Sequence, residues 1–327
     1  MQKKINNYIF LFILLILISC KEKQNKTKEN TVVKIATLKG PSAMSMVKMI
    51  DSKVFKDKNI KAEFIIKDEP IQIRALLLQN ETDFAILPTT FAALLYNKGV
   101  QYKLAAIPVW GTLYLFGEDT CIKEWNDLKN KHIYVMARGM TPDVMFRFLL
   151  EKNNIDPEND VKLDYSFPTH IELANAVAAN KAKLAVISEP LVSMVIAKNP
   201  KVKPIFSFDK EWEIATQGEI PLTQTALIVN PEFASKHKDL VDEFLTEYKK
   251  SSEWVNRNTV EASKLIVKYN IILNEKVAQS SISRSNIKFE YAYNIKDGIN
   301  KYLEIFYNFD PKITGGKLPD EEFYYKK

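Results

Sequence analysis

The sequence predicts an α/β protein made of two similar lobes, each with a mainly parallel sheet flanked by helices. Two observations lead to this fold class. Strand-like runs alternate with runs of helical spacing over residues 32–208, which is the pattern of βαβ units. This alternation restarts once after Trp110, so that a second set of units follows the first.

Each predicted lobe opens with strands that alternate with helices. The first lobe has the predicted strands VVKIATL, AEFIIK, DFAIL and YKLAAIPVW, with helices over 42–54, 70–79 and 89–97. The second lobe has the predicted strands HIYVMA, VKLDYS, LAVIS and KPIFSF, with helices over 141–152, 169–180 and 189–198.

An ungapped shift of one hundred residues aligns part of the two lobes. It places PIQIRALLLQNETDFAIL on HIELANAVAANKAKLAVI, with Asn80 on Asn180 and the helix-to-strand boundary at the same point. An internal repeat would explain this match, and so would the shared physics of two βαβ units. In both cases the two lobes follow one plan.

The rest of the chain predicts how the lobes are connected. The stretch EWEIATQGEIPLTQTALIVN indicates a second crossing between the lobes, ending in a strand over 223–229. Helical spacing then dominates, over about 238–256, 259–268, 275–281 and 295–306. Because this segment is almost entirely helical, it cannot form a sheet domain alone, and we expect it to pack on the first lobe. Lobe one is therefore predicted over 32–112 plus 221–327, and lobe two over 113–220, with the two crossings as a hinge.

The N-terminus has the features of a bacterial lipoprotein signal. Lys3 and Lys4 precede the apolar run YIFLFILLILI, which is too short to span a bilayer comfortably but fits a secretory signal. LISC, ending at Cys20, resembles the lipobox, in which the cysteine carries the lipid, including palmitate. We expect residues 1–20 to be the signal peptide, Cys20 to be lipidated, and 21–31 to be a flexible tether. The protein would then be anchored outside the cytoplasm, facing a periplasm or the cell exterior.

Charge, cysteine and histidine content argue against several functions. Residues 1–30 hold six lysines and two glutamates, which leaves only +2 of the net charge of +6 for the remainder, so no nucleic-acid interface is expected. Cys121 is the only other cysteine, which excludes an intramolecular disulfide if Cys20 carries lipid. His132, His170 and His237 lack the spacing of metal ligands. We therefore expect neither a metal site nor a cofactor.

Turn residues stand where predicted strands give way to helices. The corners are Gly40-Pro41-Ser42, Pro88-Thr89-Thr90, Arg138-Gly139-Met140-Thr141, Pro168-Thr169-His170 and Ser188-Glu189. In parallel α/β sheets, ligands bind beyond the carboxyl ends of strands, where helix N-termini offer free N–H groups to an anion or polar acceptor. Ordinary helix capping accounts for any one corner, whereas five corners facing one cleft favour a ligand site.

Several residues near this cleft have two interpretations. Glu189 either caps its helix or receives a ligand amine. His170 either begins a helix at the surface or contacts the ligand. Trp110, Phe91 and Tyr114 either line the cleft or belong to the core.

Longer stretches resemble the substrate-binding lipoproteins of bacterial ABC importers for nitrate, sulfonates, taurine and thiamine-pyrimidine precursors. The resemblance covers residues 32–327 and is carried by LKGPSAMSMVKM, TDFAILPTTFAALLYNKG, DLKNKHIYVMARGMTPDVMFRFLLEKNNIDPENDV, EWEIATQGEIPLTQTALIVNPEF and GGKLPDEEFYY, with the helical stretch around 254–262. It implies a two-lobed type II periplasmic binding protein clamp. Such a clamp captures an anionic, zwitterionic or aromatic-heterocyclic solute and delivers it to a permease and its ATPase.

The resemblance also implies which residues face the ligand. These are Gly40, Pro41, Ser42, Pro88, Thr89, Thr90, Arg138, Gly139, Thr141, Ser188, Glu189, Thr223 and Gln224, to which the aromatic Trp110 is added as a lining residue.

Two other functions are weighed against a binding protein. Enzymes of thiamine-pyrimidine synthesis or menaquinone-pathway chemistry share the clamp fold, but the export signal and the lack of a convincing acid–base pair argue against catalysis. A surface adhesin would need no pocket that closes. We expect a monomeric binding protein that is not an enzyme.

Overall fold

A computed structural model describes residues 32–58, 60–118, 121–167 and 169–326. The predicted signal peptide, Cys20 and the tether lie outside these residues, and so does Pro168. No helix in the described part of the chain is both long enough and apolar enough to cross a membrane.

The described residues form strands that build two sheets. The strands are β1 Val32–Leu38, β2 Lys61–Lys67, β3 Phe84–Pro88, β4 Lys103–Val109, β5 Leu113–Gly117, β6 His132–Val135, β7 Lys162–Asp164, β8 Leu184–Ser188, β9 Lys203–Ser207, β10 Thr225–Val229 and β11 Ile287–Tyr291.

Helices connect and cover these strands. They are α1 Pro41–Ser45, α2 Val47–Ser52, α3 Pro70–Leu78, α4 Thr89–Asn97, α5 Thr141–Lys152, α6 His170–Ala178, α7 Leu191–Lys198, α8 Phe208–Ala215, α9 Pro231–Lys236, α10 Lys238–Arg257, α11 Thr259–Lys268, α12 Glu275–Arg284 and α13 Lys296–Phe309.

The two sheets have the same strand order over five positions. The first sheet runs β11-β4-β10-β3-β1-β2 and the second runs β7-β6-β8-β5-β9. In each sheet the strand that enters after a crossing, β10 or β5, is inserted antiparallel between two strands of its new sheet. We call the first sheet with its packed helices the first lobe, and the second sheet with its helices the second lobe.

Most strands of each sheet point one way, as predicted. Strands β1, β2 and β3 are parallel neighbours, as are β6, β7 and β8, whereas β5, β10 and β11 run against their neighbours. The carboxyl ends of the parallel strands therefore lie at one edge of each sheet, where the predicted corners stand. The two-lobed α/β fold is confirmed.

The shift of one hundred residues also holds for the observed elements. Helices α3 and α6 begin and end at residues that are one hundred positions apart, and so do strands β3 and β8. Asn80 and Asn180, which follow the two helices, both have left-handed backbones, with φ of 53° and 58°. Asparagine tolerates this conformation where a helix ends.

The predicted helix over 42–54 is interrupted at Met46, giving α1 and α2. The Ser45 hydroxyl donates to the Ser42 carbonyl oxygen at 2.7 Å, and such a side-chain bond competes with the helical backbone ladder. Strands β5 and β11 and helices α8 and α9 are not among the predicted elements.

Apolar side chains join the two lobes near the crossings. Trp212 of α8 packs on Tyr302 of α13, with ring centroids 5.6 Å apart, and both belong to one buried cluster that includes residues of both sheets. On the other face of the first sheet, Phe244 of α10 stacks on Phe84 with centroids 4.0 Å apart. The C-terminal helices thus complete the core of the first lobe.

Candidate functional site

Two helix N-termini, one from each lobe, meet across the gap between the lobes. Thr90 lies in the first turn of α4 and Thr141 begins α5, and their hydroxyl oxygens are 3.0 Å apart. Both residues are buried, with 5% and 7% of their surface exposed. The lobes are therefore closed on each other at this point.

A second close approach joins the chain before α1 to the chain before α7. Gly40 has φ of 121°, and a Cβ built on it would lie only 3.0 Å from Cδ of Pro190. A side chain at this position would be strained by the backbone angle and would press on the opposite lobe. Gly40 thus allows the two lobes to close.

The corner after β1 is fixed from behind by α10. Tyr248 lies with its hydroxyl 2.9 Å from the Ser45 hydroxyl and 3.3 Å from the Ser42 carbonyl oxygen. Tyr248 is fully buried, and burial raises its pKa. This network holds Ser42 and the half-buried Pro41 in place at the lobe boundary.

A buried carboxylate organises the loop that carries Arg138. Asp143 accepts hydrogen bonds from Gly139 N at 2.7 Å and from the Tyr165 hydroxyl at 2.6 Å. It also pairs with Arg147 Nε at 2.9 Å. Burial, followed by the hydrogen bond to Asp143, raises the pKa of Tyr165 to about 12. Asp143 was not among the predicted site residues, although an acidic residue in the first turn of α5 was visible in the sequence.

Arg138 itself is exposed at the surface of the second lobe. Its guanidinium carbon lies 5.3 Å from the ring centroid of Tyr165, in a cation–π contact within the same lobe. Thr141 thus contacts the first lobe, while the Arg138 guanidinium packs on Tyr165 of its own lobe.

Gln224 ties the two crossings together. Its side-chain oxygen accepts from Thr112 N at 2.9 Å, and its side-chain nitrogen donates to the Thr112 hydroxyl at 2.8 Å. Its backbone oxygen accepts from Thr89 N at 3.1 Å, at the start of α4. Pro88, the residue before Thr89, is half-buried at the end of β3. The second crossing is thus hydrogen-bonded directly to the N-terminus of α4.

Two hydroxyls beside Gln224 are buried without a hydrogen-bond partner among the described residues. They belong to Thr89 and Thr223, whose exposed fractions are both 0%. A buried polar group left unpaired costs about 1–3 kcal/mol, so native structures rarely leave one without a bonding role. Each of these two hydroxyls therefore has a hydrogen bond left to donate.

Glu189 is buried against a cation from the other lobe. Its carboxylate accepts from Ser193 N at 3.3 Å and from the Ser193 hydroxyl at 2.9 Å, which is the arrangement of a helix cap on α7. Arg284 of the first lobe lies 4.0 Å away. Burial raises the pKa of Glu189, and Ser193 and Arg284 act in the opposite direction. Ser188, just before it, is half-buried at the end of β8.

Of the three predicted aromatic residues, Phe91 lies in the first turn of α4, next to Thr90. Trp110 donates from its indole nitrogen to the Lys288 carbonyl oxygen at 2.6 Å and packs beside β11. Tyr114 donates to the Arg284 carbonyl oxygen at 2.5 Å. Phe91, in α4, is partly buried against the core shared by both lobes.

His170 begins α6 at the carboxyl edge of the second sheet. Part of the residue remains accessible, but its Nδ1 is enclosed without a hydrogen-bond partner in the described chain. Burial lowers the pKa of His170 to about 4. The imidazole is therefore neutral at ordinary pH. No cluster of side chains suited to a metal ion occurs among the described residues.

Comparisons with known proteins identify the family and the fold. A family model described as ABC transporter, phosphonate, periplasmic substrate-binding protein matches residues 56–269. YtlA of Bacillus subtilis, named as a binding protein, is 22% identical over 254 residues, covering 76% of this chain and 72% of YtlA.

Solved structures with the same fold include ABC transporter components. A crystal structure of an ABC transporter from Parabacteroides distasonis has a TM-score of 0.79 and 30% identity, covering 91% of this chain and 99% of that one. The periplasmic aliphatic sulphonate binding protein SsuA from Escherichia coli has a TM-score of 0.71 and 14% identity, covering 90% and 92%. These matches confirm the importer resemblance, and the chain belongs to the family of periplasmic substrate-binding proteins of ABC transporters.

Proposed function

We propose that this protein captures a small solute bearing an oxyanion between the N-termini of α4 and α5 and delivers it to a membrane permease and its ATPase. The observation that carries the proposal is the contact between Thr90 and Thr141 across the gap, beside the unpaired hydroxyls of Thr89 and Thr223. The other predicted ligand residues are retained as part of the proposal, except that Glu189 is taken in its alternative role as a helix cap.

The chemistry of these groups favours an acceptor-rich ligand. Hydroxyls and the free N–H groups of a first helical turn donate hydrogen bonds, and the helix dipole stabilises negative charge there. A sulfonate or phosphonate group offers three oxygens that can accept from both lobes at once. The names of the related proteins, which include phosphonate and sulphonate binders, support the same chemical class.

The proposed transport step is a hinge motion. The lobes 32–112 plus 221–327 and 113–220 would open about the crossings at Thr112 and Gln224 and shut around the solute. No bond of the solute would be made or broken, so the protein would act as a monomeric carrier and not as an enzyme.

A titration of purified protein tests the solute class. Methylphosphonate, ethanesulfonate, taurine and nitrate are each added, and heat of binding and melting temperature are recorded. A solute at about one hundred times its Kd should stabilise the fold by about 2.7 kcal/mol. Binding of a neutral heterocycle, with no response to any oxyanion, would overturn the proposal. Intact solute recovered by mass spectrometry would agree with a carrier, whereas product would indicate an enzyme.

The proposal includes a lipid anchor at Cys20, which rests on the sequence alone. Expression in a bacterial host should place the wild-type chain in the membrane fraction, with a mass increase from acyl chains. Cys20→Ala should abolish this mass increase and prevent cleavage at the lipobox. An unmodified wild-type chain in the soluble fraction would contradict the anchor.

A further inference from the structure

A polar bridge joins the lobes at Glu189, whose carboxylate we take as a helix cap and not as a solute contact. Arg284 ends α12 in the first lobe, while Ser193 lies in the first turn of α7 in the second. Arg284 Nη1 donates to the Ser193 hydroxyl at 2.9 Å, and that hydroxyl donates to Glu189 Oε1 at 2.9 Å. The direct distance between Arg284 Nη1 and Glu189 Oε1 is 4.0 Å.

The two charged ends of this bridge differ in exposure. The Glu189 side chain is 0% exposed, whereas the Arg284 side chain is 31% exposed. A buried carboxylate is costly unless a cation and hydrogen-bond donors accompany it. Because Arg284 belongs to the other lobe, this compensation depends on closure. When the lobes separate, water can reach Glu189 instead.

Arg284 is held by the second lobe through its backbone as well. Tyr114 of β5 donates to the Arg284 carbonyl oxygen at 2.5 Å. Arg284 also lines an open groove of about 810 Å³. Its walls come from both lobes and include Tyr114, Ser207, Asp209, Asn256, Arg284 and Asn286. The guanidinium therefore has a solvated space to enter when the lobes part.

We infer that Arg284 is a positioning residue that sets how much of the protein is closed, and so tunes solute affinity without touching the solute. Removing its side chain leaves the buried Glu189 without a cation in the closed form, although Ser193 still donates to it, and the population shifts toward the open form. Apparent affinity falls in proportion to the fraction of binding-competent protein. This inference rests on the proposed clamp function but not on the solute class.

The test compares Arg284→Ala with Arg284→Lys and with the double variant Arg284→Ala, Glu189→Gln. Small-angle X-ray scattering measures the radius of gyration, and calorimetry measures solute affinity. We expect Arg284→Ala to expand the protein and to weaken affinity about tenfold or more. Arg284→Lys keeps the charge and should recover part of both. The double variant should return to the compact form, because a neutral amide needs no cation.

The outcomes separate the two proposals. Expansion of Arg284→Ala reversed in the double variant supports the role of Arg284, even if no oxyanion binds to any variant. An unchanged radius of gyration and unchanged affinity in folded Arg284→Ala would overturn it. So would expansion that the double variant fails to reverse, since that result would mean a general loss of packing. If Arg284→Ala does not fold, Arg284→Gln, which removes the charge but keeps part of the side-chain volume, decides by the same two measurements.

Discussion

The hydroxyl oxygens of Thr90 and Thr141 lie 3.0 Å apart and join the first turns of helices from opposite lobes. Each hydroxyl can donate one hydrogen bond and accept others, so the pair can exchange partners when a solute oxygen arrives. This relationship connects helix N-termini, lobe closure and solute chemistry in one contact.

Thr90→Val should weaken oxyanion binding about tenfold, because one hydrogen bond, worth about 1–1.5 kcal/mol, is lost while the side-chain shape is kept. Thr141→Val should weaken binding similarly. If the two hydroxyls act together, the double variant should lose less binding free energy than the sum of the losses in the two single variants. Calorimetric titration gives the affinities. Ser235→Ala, which removes an exposed hydroxyl on α9, is the matched control. Wild-type affinity in both threonine variants would show that the solute binds elsewhere.

Asp143→Asn should loosen the loop from Arg138 to Thr141. The Asp143 carboxylate accepts a hydrogen bond from Gly139 N at 2.7 Å and forms an ion pair with Arg147 inside the second lobe. Breaking a buried ion pair typically costs about 3–5 kcal/mol, and the remaining partners of Arg147 reduce that loss to about 2–4 kcal/mol. Chemical denaturation measures the change. Asp239→Asn, on an exposed pair with Lys58, should change stability little. Equal stability of the two variants would contradict the role of Asp143.

Gly111→Ala should disturb the hinge. A Cβ at Gly111 would lie 2.7 Å from Cβ of Asp209, so the first crossing or α8 has to move. Overpacking of this kind typically costs about 1–3 kcal/mol. We expect a lower melting temperature together with an altered rate of solute release in stopped-flow measurements. A wild-type melting temperature and a wild-type release rate would mean that the crossing adapts to the added methyl group without affecting lobe motion.

The stability of the protein should fall as pH drops from 6.5 to about 4. His170 is neutral in the fold because burial lowers its pKa to about 4, whereas the unfolded chain takes up a proton near 6.5. The unfolded state then binds more protons, which favours unfolding by at most about 3 kcal/mol. Urea titrations at pH 7, 5.5 and 4.5 measure this slope. His170→Gln should flatten it, and an unchanged slope in that variant would exclude His170 as the source.

Much of the fold was predictable because it depends on local patterns. The starts of α3 and α4 and the extent of β1 follow from hydrophobic periodicity and from Pro70 and Thr89. Strand β5 was missed because LYLFG is a short, uniformly apolar run that periodicity cannot assign. Strand β11 was missed although Ile287 and Phe289 are buried alternately, because only five residues carry the pattern within a helical region.

The site was predictable only in part. The corners follow from strand ends, which the sequence marks with Gly40, Thr90 and Thr141. The contacts of Asp143 with Tyr165 and of Glu189 with Arg284 join residues far apart in sequence, and no local pattern specifies such partners. The cation–π contact of Arg138 with Tyr165 likewise joins residues from separate segments, and the prediction that Arg138 faces the ligand stays a prediction.

The packing of Trp212 on Tyr302 affects how the protein unfolds. Because these rings belong to one apolar interior supplied by both sheets, neither half retains a complete core when the other is lost. Heating should therefore melt both halves in a single cooperative transition.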